Sequence, residues 1–257
     1  HTLVVKFIDC PFAIGADGTK IIQSNQEKCI PKFLYYAING KNIQSEGYKR
    51  HFSKLREQTF LIPPLSEQKK ITTILSNVDD TLQKTNQIIE QTQRLKKGMM
   101  QKLLTRGIGH TKFKKTEIGE IPEEWEITNL GNSCDILDSK RIPLNESERM
   151  KIQGDIPYYG ANGIQGYVNK HLFDQDLILV AEDGGNFTEY ETKPIAYVIH
   201  GKSWVNNHAH VLAPKKGYDL NWIFYSLVHK NIIPWVNGTT RSKLNQSELK
   251  KIEITRD

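Results

Sequence analysis

The longest regular pattern in the chain lies between Ser66 and Leu104. Pro63-Pro64 closes an extended run, Ser66 is placed to cap a helix, and Glu67 falls in its first turn, where the helix dipole favours an acid. Apolar residues then recur at spacings of three and four: Ile71, Leu75, Val78, Leu82, Ile89, Met99 and Leu103, with Thr85, Thr92 and Lys96 filling the same series. Basic residues crowd the last turns, and Gly107 and Gly109 end the run. So narrow a stripe is the seam of a coiled coil rather than the broad face of a globular surface helix. At about 1.5 Å per residue it spans roughly 58 Å. A helix of that length cannot bury itself in a domain of this size, so the seam predicts pairing with another long helix, including by self-association.

The flanking segments have a different texture. Val4–Ile8, Phe60–Ile62, Leu177–Ala181, Ala196–Ile199, His210–Leu212 and Ile252–Ile254 are short runs of β-type composition, set between Gly, Asn, Asp and Pro turns. Short helices are expected at Ile30–Ile38 and Leu220–Val228. The fold class is therefore α+β, with globular pieces on both sides of one long helix. The two sides also match each other. Phe33 to Ile38, Lys54-Leu55 and Phe60 to Pro63 recur as Ile223 to Val228, Lys243-Leu244 and Ile252 to Thr255, and Cys10 to Ile14 matches Lys193 to Tyr197. The unit of this repeat reads as an α+β domain followed by a long helix.

Charge sharpens the picture. The 257 residues carry a net +6, but Arg94–Lys115 holds eight Lys/Arg and no acid, Glu120–Thr192 holds 15 acids against five bases, and Lys193–Lys251 holds nine bases against two acids. Concentrated positive charge suits a polyanion; a solvated basic face is the plainer alternative. The acidic stretch is expected to face away from such a polyanion or toward a protein partner. Mean hydropathy is −0.52. No apolar run approaches the roughly 20 residues of a membrane span, and no membrane association is expected. Three distant cysteines give neither a disulfide framework nor a metal clamp, which suits a reduced cytoplasmic protein. The chain starts at His1 rather than Met and stops just after a strand-like run, as a segment of a longer protein would.

No catalytic set emerges. Nucleotide-binding glycine patterns and His-Glu-x-x-His are missing, and the single Pro-Pro is not flanked as in an adenine methyltransferase motif. Glu67-x-Lys69 at a helix start reads as a first-turn acid and a surface lysine. His208 and His210 share a strand face but lack a third ligand at metal spacing, so no metal is expected. The DNA-reading candidates form three groups. Asn206, Asn207 and His208 precede an apolar strand; Asn can pair with adenine and His can contact phosphate or guanine, while an Asx-turn and a strand-end histidine explain the same residues. Arg241 and Lys243 lie in a polar loop suited to phosphate clamping or to plain solvation, and Lys202 is counted with the basic candidates. Tyr158, Tyr159, Asn162 and Gln165 lie in a Gly-punctuated loop able to approach bases, although core packing suits the tyrosines equally.

Three motifs carry a resemblance: Ile62-Pro63-Pro64-Leu65-Ser66-Glu67-Gln68-Lys69-Lys70-Ile71 opening the helix, Leu95 to Thr105 closing it, and Phe113 to Trp125 opening the next domain. Together with Pro157 to Gly163, Leu179 to Asn186, Asn206 to Leu212 and Thr239 to Leu249, they make the chain resemble the specificity subunit of type I restriction–modification systems. The resemblance implies target-recognition domains separated by long helices that pair antiparallel. Each domain would read half of a split double-stranded DNA target. The helices would set the spacing and carry methyltransferase subunits, two in number, with motor-nuclease subunits joining for restriction. Adenine-N6 methylation with S-adenosylmethionine, and ATP and Mg chemistry, would belong to those partners; this subunit would be non-catalytic. On that pattern, 1–63 is the C-terminal part of a first target-recognition domain, 64–107 the spacer helix, and 108–257 a second target-recognition domain lacking its following helix. Two other classes fit less well: the DNA-reading part of a single-chain restriction–methylation enzyme, and a purely helical protein–protein scaffold.

Overall fold

The computed structural model describes residues 4–15, 19–41, 43, 52–238 and 242–256. It divides into two compact units, His1–Leu95 and Lys96–Asp257, with the division inside the long helix. In the first unit, α1 (Pro31–Asn39) and α2 (Phe52–Arg56) precede α3 (Leu65–Arg106). Helix α3 has 42 residues, a length of about 63 Å.

The helix starts one residue earlier than its pattern predicts, and Ser66 does not cap it. The backbone N–H groups of Glu67 and Gln68 donate instead to the Pro64 carbonyl at 2.9 and 3.0 Å. The buried side chain of Gln68 then ties the helix start to the segment before α1. Its Nε2 donates to the carbonyls of Lys28 (2.9 Å) and Pro63 (2.7 Å), and its Oε1 accepts from the Ile30 N–H at 2.8 Å. The Tyr36 hydroxyl of α1 donates to Asp79 Oδ2 at 2.6 Å.

Farther along, the seam lies open to solvent: Leu75, Val78, Leu82, Ile89, Met99 and Leu103 are all exposed, and Ile71 is half-buried. Ile74, Ile88 and Leu95 are exposed as well. They widen the stripe by one further row at spacings of seven and fourteen. The helix ends at Gly107, whose φ is +60° and whose N–H reaches the Leu103 carbonyl. A Cβ there would lie 2.7 Å from the His110 ring and 2.8 Å from Trp125, so both conformation and space demand glycine.

The runs Val4–Ile8 and Phe60–Ile62 are not strands. A strand needs a ladder partner. In the second unit the segment matching Phe60–Ile62 finds one, whereas among the described residues of the first unit no strand is present to supply it. The repeat holds for α1 and its counterpart helix, but Lys54-Leu55 lies in α2 while Lys243-Leu244 forms a strand.

The second unit opens with the hairpin β1 (Phe113–Thr116) and β2 (Gly119–Pro122), followed by β3 (Glu126–Asn129), α4 (Leu130–Ser133), β4 (Cys134–Ile136) and α5 (Glu146–Lys151). Next come β5 (Ile156–Gly160), β6 (Gly163–Val168), β7 (Phe173–Asp174), β8 (Leu177–Ala181), β9 (Ala196–Ile199), β10 (Lys202–Val205) and β11 (Ala209–Pro214). The unit closes with α6 (Leu220–Leu227), β12 (Val236–Asn237), β13 (Lys243–Leu244), α7 (Gln246–Leu249) and β14 (Glu253–Arg256). Two four-stranded sheets result, in the orders β6-β5-β10-β7 and β4-β11-β8-β9. Strand β14 pairs antiparallel with β3.

Strand β8 explains why its sequence is apolar throughout. Ile178 and Val180 enter one core with Leu212, Ile223 and Leu227, while Leu177 and Leu179 enter another with Val205 and Val211. Both faces are covered, and alternation sends successive side chains to opposite cores.

Candidate nucleic-acid interface

The ends of β5, β8 and β10 and the starts of β6, β11 and β13 meet at one edge of the second unit. The backbone fixes this meeting. The Asn206 N–H donates to the Tyr159 carbonyl at 3.0 Å, the Glu182 N–H to the His208 carbonyl at 2.8 Å, and the Leu244 N–H to the Glu182 carbonyl at 2.8 Å. Seven of the ten DNA-reading candidates come together here, Lys243 among them; Tyr158 and Lys202 are placed differently.

Asn206 is buried and both its amide nitrogen and its amide oxygen are hydrogen-bonded. Its Oδ1 accepts from the His208 N–H at 2.8 Å, an Asx-turn, and its Nδ2 donates to Gln165 Oε1 at 3.0 Å. Asn207, next in the chain, is exposed at the tip of that turn. His208 is half-buried, with Nδ1 2.7 Å from Asp183 Oδ1. Gln165 and Asn162 are exposed on the neighbouring hairpin, and Asn162 Nδ2 donates to the Gly184 carbonyl at 2.9 Å. Tyr159 is half-buried, its ring 5.9 Å from that of Tyr197, whose hydroxyl donates to the Gly160 carbonyl. Burial pushes both phenols above their ordinary range.

Tyr158 belongs to the core. It is 1% exposed, and its hydroxyl accepts from the Leu144 N–H at 2.9 Å. Lys202 is exposed but opens β10, whereas Asn206 follows that strand's other end, about 13 Å along it at roughly 3.3 Å per residue. Lys243 is half-exposed and its Nζ lies 3.0 Å from Glu182 Oε1. Arg241 lies outside the described residues.

Beneath the edge lies a group of charges that the sequence did not point to. Arg141 Nη1 donates to Glu182 Oε2 at 2.7 Å, and its Nη2 lies 3.6 Å from Asp138 Oδ2. His210 Nδ1 is 2.6 Å from Asp138 Oδ2, and its Nε2 is 2.7 Å from the Leu244 carbonyl. Gln246 Nε2 donates to Asp138 Oδ2 at 3.1 Å, and the Val211 N–H to Oδ1 at 2.9 Å. Burial pushes the Asp138 carboxyl up, but His210, the Val211 N–H and Arg141 together hold it below its ordinary value. Burial likewise raises the Glu182 carboxyl, and Arg141, Lys243 and His210 bring it below its ordinary value.

Asp138, Glu182 and His210 place donor atoms within 4.8 Å of one another, as a metal site would. The donors are spent otherwise. A guanidinium bridges the carboxylates, a lysine holds one of them, and both imidazole nitrogens face oxygen atoms. This set is an ion network rather than a cation site. Glu182 and Asp183, from the acidic stretch, stand at the edge itself, each paired with a base. Sequence patterns do not disclose the network, because its central contacts, Arg141–Glu182 and Asp138–His210, join residues 41 and 72 positions apart. The one local signal was a charged pair, Glu182-Asp183, directly after a fully buried strand.

A family model described as the type I restriction modification DNA specificity domain matches residues 2–94 and 122–255, two stretches that flank the end of α3. The putative type I restriction enzyme specificity subunit S.HindORF215P of Haemophilus influenzae is 35% identical over 131 residues, covering 51% of this chain and 32% of its own length. The putative MjaX specificity subunit of Methanocaldococcus jannaschii is 41% identical over 132 residues, covering 47% of this chain and 31% of its own. The chain thus spans about a third of the length of these curated relatives. The crystal structure of the S subunit of a type I restriction–modification system from M. genitalium shares the fold, with a TM-score of 0.54 and 18% identity over 89% of this chain and 62% of that one. The chain belongs to the type I restriction–modification DNA specificity domain family.

Proposed function

We propose that this chain is a DNA-recognition and scaffolding part of a type I restriction–modification complex. It directs adenine-N6 methylation and restriction by partner subunits without performing chemistry itself. The observation that carries this reading is the Asn206–His208 turn. A buried Asn206 clamps it from below and an exposed Asn207 stands at its tip, the arrangement that direct base reading requires. Gln165, Asn162, Tyr159 and His208 complete the base-facing edge. Lys243, Lys202 and Arg241 serve the phosphates.

In this reading 1–63 is the end of one target-recognition domain, 64–107 the spacer helix and 108–257 a second target-recognition domain. The open stripe from Ile71 to Leu103 takes a partner helix, and methyltransferase subunits dock on the helical region. S-adenosylmethionine, ATP and Mg are handled by those subunits, in the cytoplasm. The decisive experiment maps N6-methyladenine in DNA from cells that carry the full-length subunit with its partners. A split target that disappears when the gene is deleted, and in vitro binding to that target with a steep salt dependence, are the expected results. Methylation that persists after the deletion would refute the reading.

A further inference from the structure

Arg141 and Glu182 are largely buried behind the edge, yet both candidate reading loops hang on them. Arg141 Nη1 donates to the Ala209 carbonyl at 2.8 Å and approaches that of Asn207 at 3.4 Å, so one guanidinium holds the backbone on either side of His208. Its Nε donates to the Asp138 carbonyl at 3.0 Å, which anchors the head group in the fold. Glu182 joins the two loops. Its carboxylate takes Arg141 through one oxygen and Lys243 through the other, at 2.7 and 3.0 Å. Its N–H donates to the His208 carbonyl and its C=O accepts from the Leu244 N–H. Arg141 and Glu182 side chains are only 12% and 13% exposed, so DNA lying on the edge would not reach them fully.

We propose that Arg141 and Glu182 are positioning residues that lock the Asn206–His208 turn and the Lys243–Leu244 segment into one preformed reading edge. The proposal rests on the DNA-reading assignment above. The physical reason is entropic. Loops already held in the bound geometry lose little freedom on binding, and the discrimination of a bidentate amide–base contact survives only if the amide is fixed to a fraction of an ångström. Stability alone does not call for such a network, since apolar residues of similar volume stabilise a buried site at least as well. Arginine is the suitable cation, because its fork meets a carboxylate and two carbonyls at once while lysine offers a single point charge.

The test uses the full-length subunit in complex with its methyltransferase partners, and two duplexes: one carrying the site mapped by N6-methyladenine sequencing, one scrambled. The variants are Glu182→Gln and Arg141→Lys, each followed by amide hydrogen exchange and by affinity for both duplexes. We expect the preference for the mapped site to fall by about tenfold in both variants, with scrambled-duplex affinity nearly unchanged in the charge-conserving Arg141→Lys and raised in Glu182→Gln, which removes an acid and frees Lys243 for the phosphates. Exchange should accelerate in peptides spanning 205–210 and 242–246, while the β8 peptide 177–180 stays protected. Faster loop exchange with unaltered preference would overturn the proposal, as would lost preference with unaltered exchange. If both variants also deprotect 177–180, the network is a folding element only and the proposal fails. A wild-type complex with no preference for the mapped site would instead refute the DNA-reading assignment, before any substitution is made.

Discussion

His210 Nδ1 lies 2.6 Å from Asp138 Oδ2, inside a strand whose other side chains are apolar, with the second ring nitrogen 2.7 Å from the Leu244 carbonyl. The pair joins residues 72 positions apart and sits under the middle of the candidate edge. Removing one member strands the other in a desolvated site. Asp138→Ala is therefore expected to cost about 3–5 kcal/mol, read as a lowered thermal midpoint of the full-length subunit. A change below about 1 kcal/mol would show that the pair is dispensable.

Acid should weaken the same network. The Asp138 and Glu182 carboxyls both lie below their ordinary values of 3.8 and 4.5 in the fold. Groups whose folded values are depressed contribute stability that is fully present above the unfolded values and lost as pH falls through the folded ones. Stability attributable to these two groups should thus be flat above about pH 5 and decline below about pH 4. Thermal unfolding followed across that range should show a shallower acid slope for Glu182→Gln than for the parent protein. Equal slopes would contradict the assignment.

Neighbouring asparagines should behave differently. Asn207→Ala removes only an exposed amide and is expected to cost about 1–3 kcal/mol on the mapped target and little on scrambled DNA. Asn206→Ala removes the Asx-turn and the bond to Gln165, so it should lower thermal stability as well as binding. If Asn207→Ala weakened both duplexes equally in a folded protein, its base-reading role would be abandoned.

At the other end of the chain, Gln68 satisfies three backbone groups from a fully buried position. Gln68→Leu leaves the Ile30 N–H and the Lys28 and Pro63 carbonyls without that partner, a loss of about 2–3 kcal/mol. Denaturant unfolding measures it, and the loss should appear in the unit containing α1.

The open stripe on α3 yields a further expectation. Leu82 and Ile89 are 57% and 48% exposed. Replacing both with Asp should abolish helix pairing. Sedimentation would detect it, and a folded monomer both before and after the change would rule the pairing out.

What the sequence disclosed followed from how local each signal was. The α3 repeat and the unbroken apolar runs of β8 and β9 state their structure in consecutive residues, and those elements appear where expected. Val4–Ile8 had the same composition but no ladder partner, and composition cannot supply one. Strands β5 and β6 carry Gly, Pro and Gln among their apolar residues, so the Tyr158–Gln165 stretch reads as a loop, and β10, opening with Lys and Ser, presents no strand pattern. At the candidate edge, residue types were legible but their division of labour was not. Asn206 and Asn207 are chemically identical. Only the pairing of Asn206 with Tyr159, 47 positions earlier, turns one inward and leaves the other outside.

That division has an evolutionary consequence. Among the described residues no side-chain-bearing position has a positive φ, so the backbone at Asn207 does not call for glycine or asparagine. Its neighbours supply the turn's hydrogen bonds. If Asn207 reads a base as proposed, a codon change at 207 alters what the edge recognises at little cost to folding, whereas a change at 206, 182 or 141 disturbs the frame. Diversification of target preference among such chains would then concentrate at a few outward positions, each exchangeable in a single mutational step.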